Sequence, residues 1–587
     1  MRPALAQDPT VAVFDSTLAD SLPPVDTVPA GAQARLATAE PVVPVGPLPP
    51  GTRYTFTRDS ILWMTGVTLA DLLVTIPGVY VARAGFLGQP EYIMYGGRGG
   101  ASLELYWDGL PLEPLGRDSI HHDAGRVNLT YVDRVDVHVL PSTLRVYLVS
   151  TRHASLEPRS ALRVMTGYYG TGAYAGLFQK NMPNGVGFNV AADFVGTDET
   201  SGTEGTNRTF DVWARVDWHS SGLSGASYQV RRQNHSRDAV GSNVAGREGN
   251  RTDFLFTMFS GARPDGLGLR VEGRLAASAW TGDSSVLDQR VRSARAAVRY
   301  VRPNWSAGVS GVLGEARTTS GVLAQFGWAP SPGVALSGEA QWARHDGNRS
   351  SVRAHGAVGL YGGPFSLAGT LQYQDAVQAP SILGDSAQRT LDHSVQAGFA
   401  TQPVSGHVAL LRRDAYLPLA FPELGVISGF DTSSAATYLV ADVRLASSRA
   451  LALDAWYSAP VSGGRGAESL PQEKPRQAAD LQPPHHGRVQ ITYRSKFWRT
   501  FRSGAFDLKV QIALEYWSTG DAGFDAHGSP IALKGATFYE GFVQFQIEDF
   551  VGFWDMRNAY NSPDPYIPGL SYPKAVQTFG VKWEFSN

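Results

Sequence analysis

The chain has 587 residues, a formal net charge of −2 and no cysteine. The near balance of acidic and basic residues argues against a nucleic-acid partner, and the lack of cysteine excludes disulfides and thiolate metal sites. Since the sequence contains no run of 18 or more apolar residues, it is not a helical membrane protein.

The N-terminal segment, residues 1–50, is predicted to be an extended, mobile tether. Ten of the chain's 36 prolines lie in these fifty residues, too many for packed helix or sheet. Ala4-Leu5-Ala6 is similar to the end of a secretory signal, which indicates a truncated signal remnant. A chance occurrence of these three residues is the alternative.

Residues 51–155 are predicted to form a small α+β domain. Leu69, Leu72, Leu73 and Ile76 place apolar side chains on one helix face, and Pro77-Gly78 ends that helix. Asp108-Gly109 is typical of a tight turn between strands. The strands are predicted at 92–95, 103–107 and 132–139.

Residues 156–587 are predicted to form a transmembrane β-barrel. Segments about ten residues long alternate apolar and polar side chains, as in 506–516, where Phe506, Leu508, Val510 and Ile512 alternate with charged or polar residues. Charged residues at every second position must face a lumen, because they cannot face lipid. The lumen positions predicted in this way include Arg215, Asp217, Glu272, Arg274, Gln544 and Glu548.

The connections between these segments favour a membrane barrel over a soluble sandwich, which also alternates. Every second junction is a tight turn rich in Pro and Gly, whereas the others are mostly long, among them Thr197 to Asn207 and Pro460 to Pro484. Outer-membrane barrels have short periplasmic turns and long external loops. About 22 strands are predicted, with both barrel ends in the periplasm.

Four motifs in residues 51–155 resemble, in order and spacing, the plug domain of TonB-dependent outer-membrane receptors. They are Leu69-Ala70-Asp71-Leu72-Leu73 with Pro77-Gly78-Val79, then Gly97-Arg98-Gly99, Leu105 to Pro111, and Val132 to Val137. At the C-terminus, Thr578, Gly580, Trp583 and Phe585 resemble the signal that the barrel-assembly machinery reads. The resemblance implies an all-β membrane fold: a 22-stranded antiparallel barrel with the plug inside its lumen.

The resemblance also implies a function, which is energy-coupled uptake of a scarce solute across the bacterial outer membrane, with no enzymatic activity and no cofactor. The expected partners are outer-membrane lipid and lipopolysaccharide, TonB, the barrel-assembly machinery and an unidentified small solute, and the protein is expected to be a monomer. The solute class, whether siderophore, cobalamin or glycan, stays open. The alternative is an uncoupled structural or interaction protein with receptor-like architecture.

Two features depart from the family pattern. After Val139 the usual glycine-rich stretch is shortened, so that Leu140-Pro141-Ser142-Thr143 leads almost directly into the next strand. The tether also lacks a clear TonB box, for which Thr10, Val11, Ala12 and Val13 are the nearest candidate. Both departures favour the uncoupled alternative.

The candidate solute-binding residues follow from the family's two outward plug apices, which correspond here to about 83–89 and 112–122. Their side chains combine donors, acceptors and one aromatic face, and solvated turns are the competing interpretation. The candidates are Arg83, Phe86, Gln89, Glu113, Arg117, His121 and His122.

Other clusters carry weaker predictions. Gly96 to Gly100 lacks the Lys-Ser/Thr of a phosphate-binding loop. His121 and His122 with Asp118 and Asp123 are more often solvated than metal-binding, so no metal site is predicted. A third cluster consists of Arg290, Arg292, Arg295 and Arg299. It forms either a cationic wall for an anionic solute or a set of lumen residues whose charges are balanced by Asp and Glu on neighbouring strands.

Overall fold

The computed structural model describes most of the chain from residue 51 onward. The described ranges are 51–64, 66, 68–116, 120–153, 155–200, 203–221, 224–261, 267–282, 290–382, 384–446, 450–462, 481–560, 562 and 565–586. The signal remnant, the tether with its candidate TonB box and most of the 460–484 loop lie outside them.

The N-terminal domain contains seven short strands and two short α-helices in its described part. A five-stranded sheet has the order β1-β6-β7-β4-β5, and β2 pairs with β3 in a separate hairpin. The strands are β1 (Arg53–Thr57), β2 (Tyr80–Arg83), β3 (Glu91–Met94), β4 (Leu103–Trp107), β5 (Leu110–Pro111), β6 (Val132–Val139) and β7 (Leu144–Ser150), and the helices are α1 (Arg58–Leu62) and α2 (Leu69–Leu73).

Local sequence explains these elements. Thr68 and Asp71 form a capping box at the start of α2, which satisfies backbone N–H groups that a helix start leaves unpaired. Past the end of α2, Gly78 adopts a φ of 80°, a conformation that glycine reaches without strain. Asp108 and Gly109 both have positive φ, as a type I′ turn between two strands requires. The predicted helix and the turn are therefore confirmed.

Among the described residues, 22 antiparallel strands form a closed barrel in which β31 pairs with β8. The barrel confirms the predicted fold class and strand number. The strands are β8 (Arg159–Gly167), β9 (Thr171–Asn181), β10 (Val186–Thr200), β11 (Thr203–Ser221), β12 (Ser224–Arg237), β13 (Arg247–Ser260), β14 (Gly268–Gly282), β15 (Arg290–Arg302), β16 (Trp305–Gly314), β17 (Thr318–Ser331), β18 (Val334–His345), β19 (Arg349–Gly362), β20 (Phe365–Ala376), β21 (Gln388–Ala400), β22 (Val404–Arg413), β23 (Ala436–Ala446), β24 (Leu451–Ser462), β25 (His486–Ser495), β26 (Phe506–Trp517), β29 (Ala536–Ile547), β30 (Phe550–Arg557) and β31 (Val576–Ser586). Two further strands, β27 (Gly520–Phe524) and β28 (Pro530–Leu533), form a hairpin in the connection between β26 and β29.

The two faces of the barrel wall follow the alternation in the sequence. On β11, Phe210, Val216 and Trp218 are exposed on the outer face, while Asp211 and Arg215 are buried in the lumen. Phe579, Val581 and Trp583 of the last strand are likewise exposed, as the predicted assembly signal requires, although its recognition stays a prediction. No helix in the described residues is long and apolar enough to cross a membrane.

The N-terminal domain lies inside the lumen, as predicted, and polar contacts join it to the wall. The Tyr131 hydroxyl donates to Asp211 (2.7 Å), and Arg145 pairs with Glu339 (2.5 Å). Near the periplasmic end, the Lys509 ammonium donates to the carbonyl oxygen of Trp63 (2.5 Å). The domain's own apolar core lies within it, between its sheet and α2, with Leu411 as the buried contribution from the described wall residues.

Two details of the sequence interpretation were wrong. The segment Thr197 to Asn207 is not a loop, because β10 and β11 extend through it as a hairpin whose described pairs reach Thr200 and Thr203. Glu548 is not a lumen position of a strand, because it lies exposed in the short turn between β29 and β30 and has a positive φ. The short connection from Leu140 to Thr143 between β6 and β7 is present as the sequence indicates.

Candidate functional site

External connections cover the β2–β3 hairpin of the plug. Tyr80, Tyr92 and Met94 belong to one buried apolar cluster with residues of the connections after β22, β26 and β30. The ring of Tyr92 lies 4.4 Å from that of Phe421, and the Tyr80 hydroxyl donates to the carbonyl oxygen of Tyr566 (2.6 Å). The outward tip of the plug is therefore closed off by loops.

The connection between β22 and β23, residues 414–435, is fixed to the barrel rim by a buried charge cluster. The Glu423 carboxylate accepts from Arg237 (2.8 Å) and also pairs with Arg247, and all three side chains have no exposed surface. Arg247 in turn lies over the ring of Trp280 (4.4 Å). We call this set of Arg237, Glu423 and Arg247 the rim triad.

The first predicted apex, residues 83–89, lies beneath this cover. Arg83 is buried and pairs with Asp71 (3.1 Å) and with Glu91, and Arg557 of β30 also pairs with Asp71 (2.8 Å). Burial raises the pKa of Glu91 more than Arg83 lowers it. The Arg83 guanidinium is thus held by the plug's own carboxylates.

Two buried amides at the same apex lack hydrogen-bond partners within the described part of the chain. Gln89 and Asn207 are almost fully buried, and neither end of either side-chain amide has a hydrogen-bond partner among the described residues. Asn207 lies directly against Gly88, and the ring of Phe86 is 6.3 Å from that of Tyr169. Since buried polar groups are normally satisfied, these amides can accept and donate to water or to a polar solute.

The second apex contacts both an external loop and the barrel wall. The Nε2–H of His121 donates to the carbonyl oxygen of Leu419 (3.1 Å), and its ring lies 4.8 Å from that of Phe421. Burial lowers the pKa of His121 to about 4, against the opposing effect of the Leu419 carbonyl. His121 is therefore neutral at physiological pH.

A cavity of about 340 Å³ lies between the plug and the wall formed by β14 to β20. It extends from Pro380 and Tyr416, at the external ends of the strands, to Arg270 and Arg299 nearer the periplasm. Among the described lining residues, nine arginines face four glutamates, a formal excess of five positive charges. Its volume is within the range of small-molecule sites, and its charge favours an anion.

Five wall arginines donate to backbone carbonyl oxygens of one plug segment, residues 108–115. We call them the arginine clamp. The donor and acceptor pairs are Arg247 to Leu115 (3.2 Å), Arg251 to Glu113 (2.8 Å), Arg274 to Asp108, Arg295 to Gly109 (2.9 Å) and Arg317 to Pro114 (2.5 Å).

Carboxylates neutralise part of the cavity wall. Glu104 of β4 accepts from Arg145 (2.8 Å) and Arg353 (3.0 Å). Although burial acts to raise it, these two guanidinium groups hold the pKa of Glu104 below its usual range. Arg295 differs, because within the described chain it pairs with no carboxylate and its second contact is the Ser310 hydroxyl (2.8 Å).

The seven candidate residues thus separate into two places. Arg83, Phe86 and Gln89 lie at the covered apex, whereas Glu113, His121 and His122 line the cavity. Arg117 lies outside the described residues. The described residues include no group of three His, Asp or Glu side chains arranged to hold a metal ion.

Sequence reasoning missed most of the arginine clamp. It considered Arg290, Arg292, Arg295 and Arg299 as one cluster, of which the last three line the cavity. The sequence did not indicate a role for Arg251 or Arg317, because their acceptors are backbone carbonyls far away in sequence. The sequence signal that could have indicated the clamp is the excess of arginine at lumen positions of β13 to β15.

Residues 49–146 match the family model of the TonB-dependent receptor plug domain. Among solved structures, a mutant of the ferric enterobactin receptor PfeA from Pseudomonas aeruginosa has a TM-score of 0.68 at 11% identity, covering 95% of this chain and 100% of that chain. The siderophore receptor PirA from Acinetobacter baumannii has a TM-score of 0.68 at 10% identity, covering 91% and 98%. The copper transporter OprC has a TM-score of 0.68 at 11% identity, covering 93% and 100%. No curated protein matches the chain in sequence.

The structural matches show the fold alone, because their sequence identities are low. The plug model matches the N-terminal domain, and a closed barrel of 22 strands, counted over the described residues, encloses that domain. Receptors of this family are transporters and not enzymes. The chain therefore has a TonB-dependent receptor plug domain, matched over residues 49–146, enclosed in a barrel with the fold of an outer-membrane receptor.

Proposed function

We propose that this receptor imports a scarce small solute, with TonB supplying energy through the N-terminal tether. The observation that carries this proposal is the polar interface between plug and wall. Ion pairs and hydrogen bonds join the two, as in Arg98 to Asp392 and Ser142 to Asp392 (2.6 Å). Such contacts exchange with water at small net cost, so the plug can move as a unit.

The plug keeps its own apolar core, which supports movement without unfolding. The core residues come almost entirely from the plug, so a shift relative to the wall leaves most of its buried apolar area intact. The apolar contacts that do cross to the barrel, between Tyr80, Tyr92 and Met94 and the external connections and between Tyr131 and Trp213 of the wall, must separate in such a shift.

The two plug apices are the proposed capture sites. At the covered apex, Gln89 and Asn207 supply amides that no described residue satisfies, and Phe86 supplies an aromatic face. Arg83 requires a rearrangement before it meets a solute. At the other apex, Glu113, His121 and His122 face the cavity, and Arg117 remains a candidate by its place in the sequence. The related receptors for ferric enterobactin and the copper transporter support uptake of a metal or metal complex as one solute class.

The alternative is an uncoupled structural or interaction protein of receptor-like architecture. The short β6–β7 connection favours it, because its residues Pro141 and Ser142 lie close against Gly96, where an added Cβ would be 2.8 Å from the Ser142 Cα. The plug is tightly built at this point.

Binding of TonB separates the two functions. We propose purifying the full chain and Val11→Pro, in which proline blocks strand pairing at the candidate TonB box, and measuring capture of the periplasmic domain of TonB. Val28→Pro in the same tether is the matched control. Coupling predicts capture by the wild type and by Val28→Pro but not by Val11→Pro. Absence of capture by the wild type would favour the uncoupled function.

The solute class needs a cellular test. A deletion strain grown on limiting iron, cobalamin or glycans should fail on one source, and the wild-type gene should restore growth only where TonB is present. Equal growth of the deletion and parent strains on all three would contradict uptake of these solutes.

A further inference from the structure

We propose that the cavity beside β14 to β20 binds an anionic solute and that this anion displaces plug carbonyls from the arginine clamp. Binding would then release residues 108–115, the β4–β5 turn and the segment after it, from the wall. This inference rests on the proposed function, because release serves transport, and it adds the solute class and the binding residues.

The chemistry of the clamp supports this exchange. Arg274 and Arg295 donate to the carbonyl oxygens of Asp108 and Gly109, and both arginines line the cavity. A carbonyl oxygen carries no net charge, whereas an anionic oxygen adds the Coulomb attraction of an ion pair and can accept two parallel N–H groups of one guanidinium. An anion within the cavity therefore competes successfully for these donors.

Arg295 is the most available of the clamp arginines. Its guanidinium contacts the Gly109 carbonyl and the Ser310 hydroxyl, and no described carboxylate pairs with it. Arg251, by contrast, pairs with Asp253 (2.8 Å), and Arg247 belongs to the rim triad. An anion that reaches Arg295 gains a partner without first breaking an ion pair.

The exchange links binding to movement. A ligand shifts a conformational equilibrium only by its difference in affinity for the two states. While the clamp holds the plug, the carbonyls occupy the donors of Arg274 and Arg295, so the anion binds better once the segment has moved away. Occupancy by an anion thus favours the released state of residues 108–115.

The test uses purified full-length protein in detergent with inorganic tripolyphosphate as the probe and trehalose as the neutral comparison. Calorimetry measures the affinity at fixed ionic strength, and hydrogen exchange measures protection of residues 108–115. We expect the wild type to bind tripolyphosphate but not trehalose, with faster exchange in this segment when the probe is bound.

Arg295→Gln should weaken tripolyphosphate binding about tenfold, because one charge-assisted hydrogen bond is lost. Arg302→Gln is the matched control, since Arg302 lies on the same strand, is exposed and does not line the cavity. Arg295→Lys keeps the charge and should bind with intermediate affinity, which provides a second variant if the glutamine variant does not fold.

Several results would overturn the inference. They are no binding by the wild type, equal losses in the Arg295 and Arg302 variants, or unchanged exchange of residues 108–115 when the probe is bound. Because TonB is absent from this assay, its outcome is independent of the Val11→Pro experiment, and either proposal can fail alone.

Discussion

Removal of the carboxylate from the rim triad should loosen the external cover of the plug. In Glu423→Gln, the buried Arg237 and Arg247 lose their shared anion, while the size of the side chain is nearly unchanged. Both pairs have no exposed surface, so solvent does not screen the loss. Breaking a buried ion pair on one side costs about 3–5 kcal/mol.

This cost should appear as local opening of the loop that carries Glu423. Hydrogen exchange of residues 419–427 reports that opening directly. A loss of 3 kcal/mol corresponds to exchange faster by about a hundredfold. Exchange rates of the wild type and the variant are compared at the same pH. Heat-modifiable mobility in gel electrophoresis shows beforehand that both barrels are folded.

Glu315→Gln is the matched control, since Glu315 also lies at the external end of the barrel and pairs with Arg292 (3.2 Å), but with both side chains more than half exposed. Exposed pairs contribute about 0–1 kcal/mol, so exchange in its own hairpin should change less than about tenfold. Equal effects of the two substitutions, or unchanged exchange in Glu423→Gln, would refute the structural role of the triad.

Two further predictions follow from the fold. Acidification from pH 7 to pH 5 should weaken the contact between His121 and the loop by about 2 kcal/mol, because the pKa of His121 is about 4 in the folded protein and about 6.5 when unfolded. The neutral imidazole stabilises the contact above pH 6.5, and this stabilisation is lost as the pH falls toward 4. Hydrogen exchange of residues 419–424 measures the loss, and His121→Asn should abolish its pH dependence. A pH dependence that persists in this variant would contradict the role of His121. A cysteine in Ser462→Cys, at the external end of β24, should react with an impermeant maleimide in intact cells, and reaction only after permeabilisation would reverse the topology.

The barrel and the plug could be predicted because both leave local signals. Lipid on one face and a polar lumen on the other impose a period of two along each strand, and the plug carries turn and cap residues such as Asp108, Gly109 and Thr68. The outer part of the β10–β11 hairpin was missed because a strand beyond the membrane needs no apolar face. Its polar residues therefore have the composition of a loop.

The candidate site was harder to predict, because its contacts join residues far apart in sequence. Arg295 and Gly109 are separated by 186 positions, and the same separation lies between Arg237 and Glu423. No periodicity or motif specifies such a pair. Only closure of the barrel around the plug determines which lumen arginine meets which carbonyl.

The arginine clamp also has an evolutionary consequence. Each clamp arginine contacts a backbone carbonyl, which every amino acid supplies, so docking of residues 108–115 places little demand on their side chains. Substitutions in this segment can therefore alter what the plug presents to a solute while the segment stays attached to the wall. We expect new solute specificities to arise there more readily than among the arginines, whose replacement removes the donor itself.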